Sequence, residues 1–550
     1  MNNRIKIVCV FVLSISYLLG NGQNNAANDQ VFLFTDRDYC VSGDTLWFKA
    51  WLPGKLEEKS NVVHVQLDTK NGNLISSVAK KSVNGWAQGY VHVPDSLSSG
   101  LCFVTAFLNF QRDSVQQEVV ANALYVYNRF EERISELVPV DAELRVKQLN
   151  YDDRINLAPD KNNYSPREKV NLKIESNSEE ISKVVVKARL LDPFSYENGG
   201  NYRFNYQSSN RNIPLFTEKN GVLISGKVSD NQNNPKQGAL VVLSITDDPP
   251  YFDYAITGKS GDFHFYLKNA VGNAPVVIQA LSKYSEEFFI ETEINSISRL
   301  EYVFDETKML TPEESEFIAS VIEANFINKL FYPPAISSKD TFSMPLKYEV
   351  PFYGPPTARV IPAEYFDLPG FQEISRELLH GLQYRVRNDE ITFRMLNTTM
   401  NTFFNNEPLR LLNGIPIFKN SLLASLKSTD IEYIDLVQSE RIFGDLLFKG
   451  ILAISLYDKS NSWMVQQPNV YKFNLPCLQP DASPGYMNKK EIHVTLPDTR
   501  QVYFWNVLNI AEDNVLEFDL SDMKGKIEIS VEGVTGSNQP FKSSKIIEVK

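Results

Sequence analysis

The chain has 550 residues, 43% of them hydrophobic, 12% aromatic and 22% charged, a globular composition spread over more length than one core supports, so several domains are expected. Its 55 Lys and Arg against 67 Asp and Glu leave a formal charge of -12, which repels a nucleic-acid backbone and removes DNA and RNA as expected partners. Four cysteines without a C-x-x-C pair exclude a disulfide-dense scaffold and a zinc ribbon.

The chain opens with Arg4 and Lys6 ahead of an apolar run over 7–19, followed by Gly20, Asn21, Gly22 and Gln23. This pattern predicts a secretory signal peptide over 1–22, and the run is shorter than a bilayer span requires. Cys9 leaves with the signal, because Val8 stands where a lipobox needs a small residue. Two alternating apolar runs then flank a turn at Ser42-Gly43-Asp44, and Asn71-Gly72 marks a hairpin, so residues 23–130 are expected to form one antiparallel β-sandwich. Cys40 and Cys102 are its only cysteines; each lies at or near a strand and export exposes them to oxidation, which predicts a disulfide between them. Cys477 stays unpaired.

A second copy follows by register. Shifting TDRDYCVSGDTLWFKA by 124 residues sets Asp36 on Asp160, Arg37 on Lys161, Asp44 on Glu168, Leu46 on Val170 and Phe48 on Leu172. Acid, base and strand phase agree, so 131–220 is expected to be a second sandwich of the same type. Residues 221–305 alternate again around Gly258-Lys259-Ser260-Gly261-Asp262 and form a smaller β-unit. Over 306–357, Thr311, Pro312 and Glu314 supply a capping box, and Phe317, Ile318, Val321, Ile322 and Leu330 supply the apolar stripe of one helix. A Pro-rich stretch over 351–356 ends it as a semi-rigid spacer. Residues 358–458 read as a small α+β unit with a turn at Asn413-Gly414, 459–487 as a linker, and 488–550 as a terminal β domain. The expected fold class is therefore mainly β and multidomain.

The first segment resembles the macroglobulin-like domain of the α2-macroglobulin family as Bacteroidota proteins carry it, through Asp36, Arg37, Gly43, Asp44, Thr45, Leu46, Trp47, Phe48, Lys49 and Ala50, with Cys40 at a position usually aromatic. The unit at 221–305 resembles the carboxypeptidase regulatory-like (transthyretin-like) domain through Gly226, Val228, Pro235, Gly238, Ala239, Val241, Gly261 and Phe263. The unit at 358–458 resembles the plug of TonB-dependent receptors through Pro408-Leu409, Leu412-Asn413-Gly414-Ile415-Pro416, Asp430-Ile431-Glu432-Tyr433-Ile434 and Phe448-Lys449-Gly450-Ile451. Asn413 replaces the aspartate of that motif. Together the three resemblances imply an envelope protein of a Bacteroidota group.

Two departures shape the functional expectation. There is no C-G-E-Q thioester string, so a covalent protease trap is excluded, and 92 residues after Asp458 fall far short of a 22-stranded receptor barrel at ~10 residues per strand. The five histidines, His64, His92, His264, His380 and His493, are scattered, and neither a G-x-S-x-G elbow nor a phosphate-binding loop occurs. Each histidine reads as a surface or strand-face residue. Acidic pairs such as Asp152-Asp153, Asp247-Asp248 and Glu286-Glu287 lack calcium-loop spacing. No catalytic, metal-binding or cofactor-binding residue is predicted, and an enzyme is not expected; a hydrolase with an unrecognised carboxylate pair ranks last. Aromatics such as Trp47, Phe48 and Trp51 read as sandwich core. The leading expectation is a non-catalytic scaffold or accessory subunit at the outer membrane, in the periplasm or at the cell surface, bound to an integral outer-membrane barrel or other envelope protein. Its expected docking surface is the turn Asn413, Gly414, Ile415, Ile417 and Phe418. The alternative is a surface protein that binds carbohydrate or peptide.

Overall fold

The computed structural model describes residues 30–111, 118–139, 155–177, 181, 183–207, 217–247, 249–281, 288–292, 298–299, 306–331, 342–344, 350–388, 390–464, 469–484, 496–536 and 538–550. The predicted signal segment and the pairs Asp152-Asp153 and Glu286-Glu287 lie outside these residues. The fold is mainly β, as expected, in two compact units: Met1–Val222, Asn295–Asp340 and Leu478–Lys550 form the first, and Leu223–Ile294 with Thr341–Cys477 the second.

The first sandwich is built from β1 (Phe32–Thr35), β2 (Tyr39–Val41), β3 (Thr45–Trp51), β4 (Val62–Thr69), β5 (Leu74–Lys81), β6 (Trp86–His92), β7 (Gly100–Phe107) and β8 (Glu118–Tyr127). One layer runs β1-β3-β6; in the other, β8-β7-β4-β5 are neighbours and β2 adds to β8 in parallel. Side chains alternate across a strand, so Leu46, Phe48 and Ala50 of β3 enter the core between the layers with Leu67, Val91, Val104 and Val126. Trp47, on the opposite face of β3, is buried as well.

The internal repeat is borne out in atomic detail. β1 pairs with β3 at Thr35↔Phe48, and β9 (Ile155–Pro159) pairs with β11 (Lys169–Ser176) at Pro159↔Leu172, the same register 124 residues on. Asp36 N donates to Trp47 O at 3.0 Å and Asp36 Oδ1 accepts from Trp47 N at 3.1 Å. Asp160 repeats both bonds with Asn171, at 2.9 Å each. The Arg37–Asp44 pair, 3.4 Å, becomes Lys161–Glu168. The acid and base of the string are thus turn staples, which explains their spacing without any chemistry.

The second sandwich does not end near 220. β9, β10 (Asn163–Tyr164), β11 and β12 (Lys183–Leu190) are completed by Val502–Asn509, Val515–Asp519, Gly525–Val534 and Pro540–Val549. The pairings match the first copy strand for strand: β11 with Val515–Asp519 as β3 with β6, β12 between Val502–Asn509 and Gly525–Val534 as β4 between β5 and β7, and β10 parallel to the last strand as β2 to β8. One core holds Leu172, Val184 and Val186 together with Ile527, Ile529, Val531 and Phe541. Residues 191–501 therefore stand where the first copy has the turn 70–73. The expected domains 131–220 and 488–550 are two halves of one sandwich, because four strands cannot cover both layers of an eight-stranded core and the missing ones come from the far end of the chain.

Other parts of the inserted chain return to the first unit. Asn201–Gln207 pairs with the Glu118–Asn122 half of β8, beside β2 on the same edge. The helix Pro312–Phe331 has the predicted capping box: Thr311 N donates to Glu314 Oε2 at 2.6 Å and Glu314 N to Thr311 Oγ1 at 3.3 Å. Ile318 and Val321 are buried against Tyr39, Phe103 and Tyr127. Leu330, expected on the stripe, is 64% exposed. The last turns are anchored by polar contacts instead, Asn325 to Asp44 and Asn328 Nδ2 to Thr499 O. His64, expected on a surface or strand face, is a buried β4 residue with Nε2 2.6 Å from Glu218 Oε2.

The expected Cys40–Cys102 disulfide is not present; both residues are buried thiols in the same core. Cys40 lies on β2 opposite Val126 and Cys102 on β7 opposite Leu124, so β8 runs between them. Two strand spacings, about 9–10 Å, exceed the ~7 Å within which Cα atoms can be bridged. Burial pushes the Cys40 thiol well above its usual range, which suppresses the reactive thiolate. We expect iodoacetamide to label Cys40 and Cys102 only after denaturation; a bridged peptide in a non-reduced digest would contradict the strand order.

The second unit joins two parts. Gly221–Ser229 lies between Asp262–Lys268 and Phe289–Thr292, and opposite this layer Tyr251–Ile256, Leu240–Ile245, Asn273–Leu281 and Val470–Pro476 form a four-stranded sheet. The last of these strands comes from the expected linker 459–487, whose Val-x-Lys-x-Asn alternation pairs with Asn273–Leu281 from Asn273↔Pro476 to Gln279↔Val470. The α+β part has a sheet in the order Ala358–Val360, Ile431–Phe443, Leu446–Leu456, Leu409–Leu412, Ile415–Pro416, with the hairpin Leu382–Arg387/Glu390–Asn397 and the helix Phe371–Glu377. Phe371, Phe393, Ile434, Leu452 and Ile454 share its core.

Candidate functional site

The turn expected to dock on a partner is internal to the second unit. Asn413 (φ 50°) and Gly414 (φ 80°) form the tight hairpin that a two-residue loop with left-handed backbone requires. Asn413 Nδ2 donates to Asp458 O at 2.9 Å and to Asn461 Oδ1 at 3.0 Å, and Oδ1 accepts from Leu456 N at 2.8 Å. A Cβ on Gly414 would lie 2.2 Å from Pro250 Cβ. Ile415 is fully buried with Val277 and Val470, and Ile417 packs in the core of Phe371 and Leu452. Pro416 O accepts from Gln279 Nε2 at 3.0 Å. Only Phe418, 51% exposed, remains outside. The expectation fails because Val470–Pro476 is a strand rather than linker, and it supplies the surface that buries Ile415.

The Pro-rich spacer is likewise pinned. Phe352 stacks on Phe252 with ring centroids 4.2 Å apart, and the buried Tyr353 donates its hydroxyl to Asp435 Oδ2 at 3.1 Å. Arg359 grips the same carboxylate through Nε at 2.7 Å and Nη2 at 2.8 Å. Residues 351–356 are a strap across the second unit, not a free arm.

What the structure assembles, and the sequence reading placed in the core, is a cleft in the first unit to which both sandwich copies contribute. Its volume is about 440 Å³. Trp51 ends β3 and Trp86 begins β6; they are cross-strand partners with ring centroids 5.1 Å apart and tilted by 47°. The turn between β5 and β6 passes through Asn84 (φ 54°) and Gly85 (φ 81°), and a Cβ on Gly85 would fall 2.4 Å from the Trp51 ring. Glycine is therefore what lets the indole lie across the turn. Glu57 braces it, its Oε1 accepting from Gly85 N at 2.9 Å and from Ser82 Oγ at 2.7 Å. The Trp86 indole nitrogen is buried and has no hydrogen-bond partner among the described residues.

The wall from the second copy carries Lys183, at the start of β12, with Val534 and Asn538; Lys55 comes from the short helix Gly54–Lys59 of the first. No carboxylate lines the cleft among the described residues, and neither lysine has an ion-pair partner there. Other lysines of the same unit do have carboxylate partners: Lys80 pairs with Asp481, Lys187 with Glu532 and Lys542 with Glu528. Phe34, Trp47, Tyr90 and Trp505 seal the apolar seam between the copies, with Trp51 and Trp86 only partly buried at its edge. Indole faces beside unmatched cations form a binding surface for a ligand that is part apolar and part anionic. No residue pattern marked it, because Trp51, Lys183 and Asn538 meet only through the packing of one copy on the other.

No family model and no curated protein sequence matches the chain. Among solved structures it is similar to bacterial α2-macroglobulins and adhesin-like multidomain proteins. Trypsin-activated α2-macroglobulin from Escherichia coli is 9% identical, with 95% of this chain and 42% of that one covered, at a TM-score of 0.22. The native conformation of the same protein gives 9%, 96% and 40%, also at 0.22. The adhesin InvE from Yersinia pseudotuberculosis gives 12%, with 50% and 60% covered, at 0.13. The chain spans less than half the length of these macroglobulins.

Proposed function

We propose that the protein is a non-catalytic scaffold or accessory subunit of an outer-membrane complex in a Bacteroidota-type envelope, exported to the periplasm or cell surface and associated with an integral barrel protein. The observation that carries this reading is the tip of the Ile431–Phe443/Leu446–Leu456 hairpin in the second unit. Ile442 and Leu447 are directly opposite one another, and are 77% and 50% exposed. Phe443 beside them is held by Phe252 and Tyr254, with centroids 5.5 and 5.9 Å away, so the tip is presented on a braced support. An apolar cross-strand pair at a hairpin tip gains by burial on a partner, and the part of the chain that carries it is the one resembling a receptor plug.

The test is co-purification from envelopes extracted in mild detergent. A barrel protein should be enriched with the unaltered chain and lost with the double variant Ile442→Asp/Leu447→Asp, whose unfolding free energy in urea should stay within about 0.5 kcal/mol of the parent because both sites are on the surface. Recovery of the unaltered chain only as a soluble monomer would remove this reading.

A second reading, a surface protein that binds carbohydrate or peptide, is favoured by the cleft of Trp51 and Trp86. Glycan arrays separate it from the first, and turnover assays on polysaccharide and peptide libraries would expose a hydrolase instead.

A further inference from the structure

We propose that the cleft between the two sandwich copies binds an acidic saccharide, a short sugar chain bearing carboxylate or sulfate groups. The inference rests on the second reading above and specifies its ligand. Three observations converge. First, Trp51 and Trp86 place two indoles on the lining of a cleft of about 440 Å³. A pyranose ring has an apolar C–H face that lies flat on such a surface, and a rigid indole offers that area at low entropic cost.

Second, the charge is wrong for a neutral ligand. In a chain of net charge -12, Lys55 and Lys183 line one cleft with no carboxylate among the described lining residues. The two ammonium groups come from different copies, so each can meet a different acidic group along one chain. A nucleic acid is disfavoured by the same net charge, since two lysines cannot offset repulsion along a continuous phosphate backbone. Third, the lining leaves room at Gly54, where an added Cβ meets nothing within 4 Å.

The experiment uses the full mature chain, with intrinsic tryptophan fluorescence and calorimetry as readouts, against matched neutral, uronate-containing and sulfated oligosaccharides and against inorganic sulfate. The expected result is binding of acidic oligosaccharides with a fluorescence change. Lys55→Glu and Lys183→Glu should each weaken it about tenfold, the worth of one charge-assisted hydrogen bond, and the affinity should fall with added salt. Gly54→Phe, whose Cβ enters open space, should abolish binding while leaving the circular dichroism spectrum unchanged. If neutral glycans bind equally and the lysine variants change nothing, the acidic assignment is overturned while carbohydrate binding stands. If no glycan binds, both fall. If inorganic sulfate binds as tightly as the sulfated oligosaccharide, the site is a simple anion site and the saccharide assignment is overturned.

Discussion

Replacing Arg189 with methionine is expected to lower stability by about 3–5 kcal/mol, the cost of stranding buried carboxylates. Arg189, on β12, is buried, and its Nε and Nη2 donate to Glu528 Oε2 at 3.0 and 2.8 Å. The same guanidinium reaches Asp38, in the turn between β1 and β2, with Nη2 donating to Oδ2 at 2.7 Å. It therefore ties the second copy to the first as well as closing its own sheet. Burial alone would raise the pKa of both carboxyls; instead Arg189 holds Asp38 below the usual range, and Lys542 with Arg189 holds Glu528 well below it.

A carboxyl depressed in the folded state contributes stability above its unfolded value, about 4, and loses it as pH falls through the folded one. The gap between Arg189→Met and the parent should accordingly be widest at neutral pH and narrow below about pH 4. Arg189→Lys, which keeps the charge but cannot fork between two acids, should fall between the two. Urea midpoints at pH 7 and pH 3.5 measure this. A variant as stable as the parent at pH 7 would show that the network contributes nothing net.

Removing residues 488–550 should be more damaging still. A separate terminal domain would be lost without harm to the rest. The structure instead takes away Val502–Asn509, Val515–Asp519, Gly525–Val534 and Pro540–Val549, half of a shared sandwich, and leaves Leu172, Val184 and Val186 facing water. Burial of each of Ile527, Ile529, Val531, Phe541 and Ile547 is worth about 1.5–3 kcal/mol, so five such side chains together approach the ~5–15 kcal/mol that holds a domain folded. The truncated chain should be insoluble, or be cut rapidly by protease within 155–190, while the first sandwich resists. A soluble product with 155–190 protected would show that the second copy folds without its C-terminal half.

Local interactions were readable from the residue string. The 124-residue repeat was visible because the Asp36–Trp47 and Asp160–Asn171 staples, and the strand phase beside them, depend on residues within one turn of each other. The capping box of Thr311 and Glu314 and the left-handed turn at Asn413-Gly414 were visible for the same reason. Pairing across long separations was not. Strand periodicity says that 183–190 and 502–509 are strands but carries no record that they are neighbours. A short alternation such as Val470–Pro476 looks like linker until Asn273–Leu281 offers it an edge.

The errors share that origin. A Cys40–Cys102 bridge is suggested by strand membership, which is local, whereas the intervening β8 is set by sheet order. Apolar character makes Ile415 look exposed because it is local, whereas what covers it is Val277, far upstream, and Val470, downstream. The sequence alone determined most of the strands, their turns and the duplication, since these follow from short-range backbone preference and side-chain alternation. Only the tertiary structure decided which strands share a core, which apolar turns are covered and that Trp51, Trp86, Lys55 and Lys183 meet in one cleft, because each depends on the packing of segments that the chain brings together across an inserted unit.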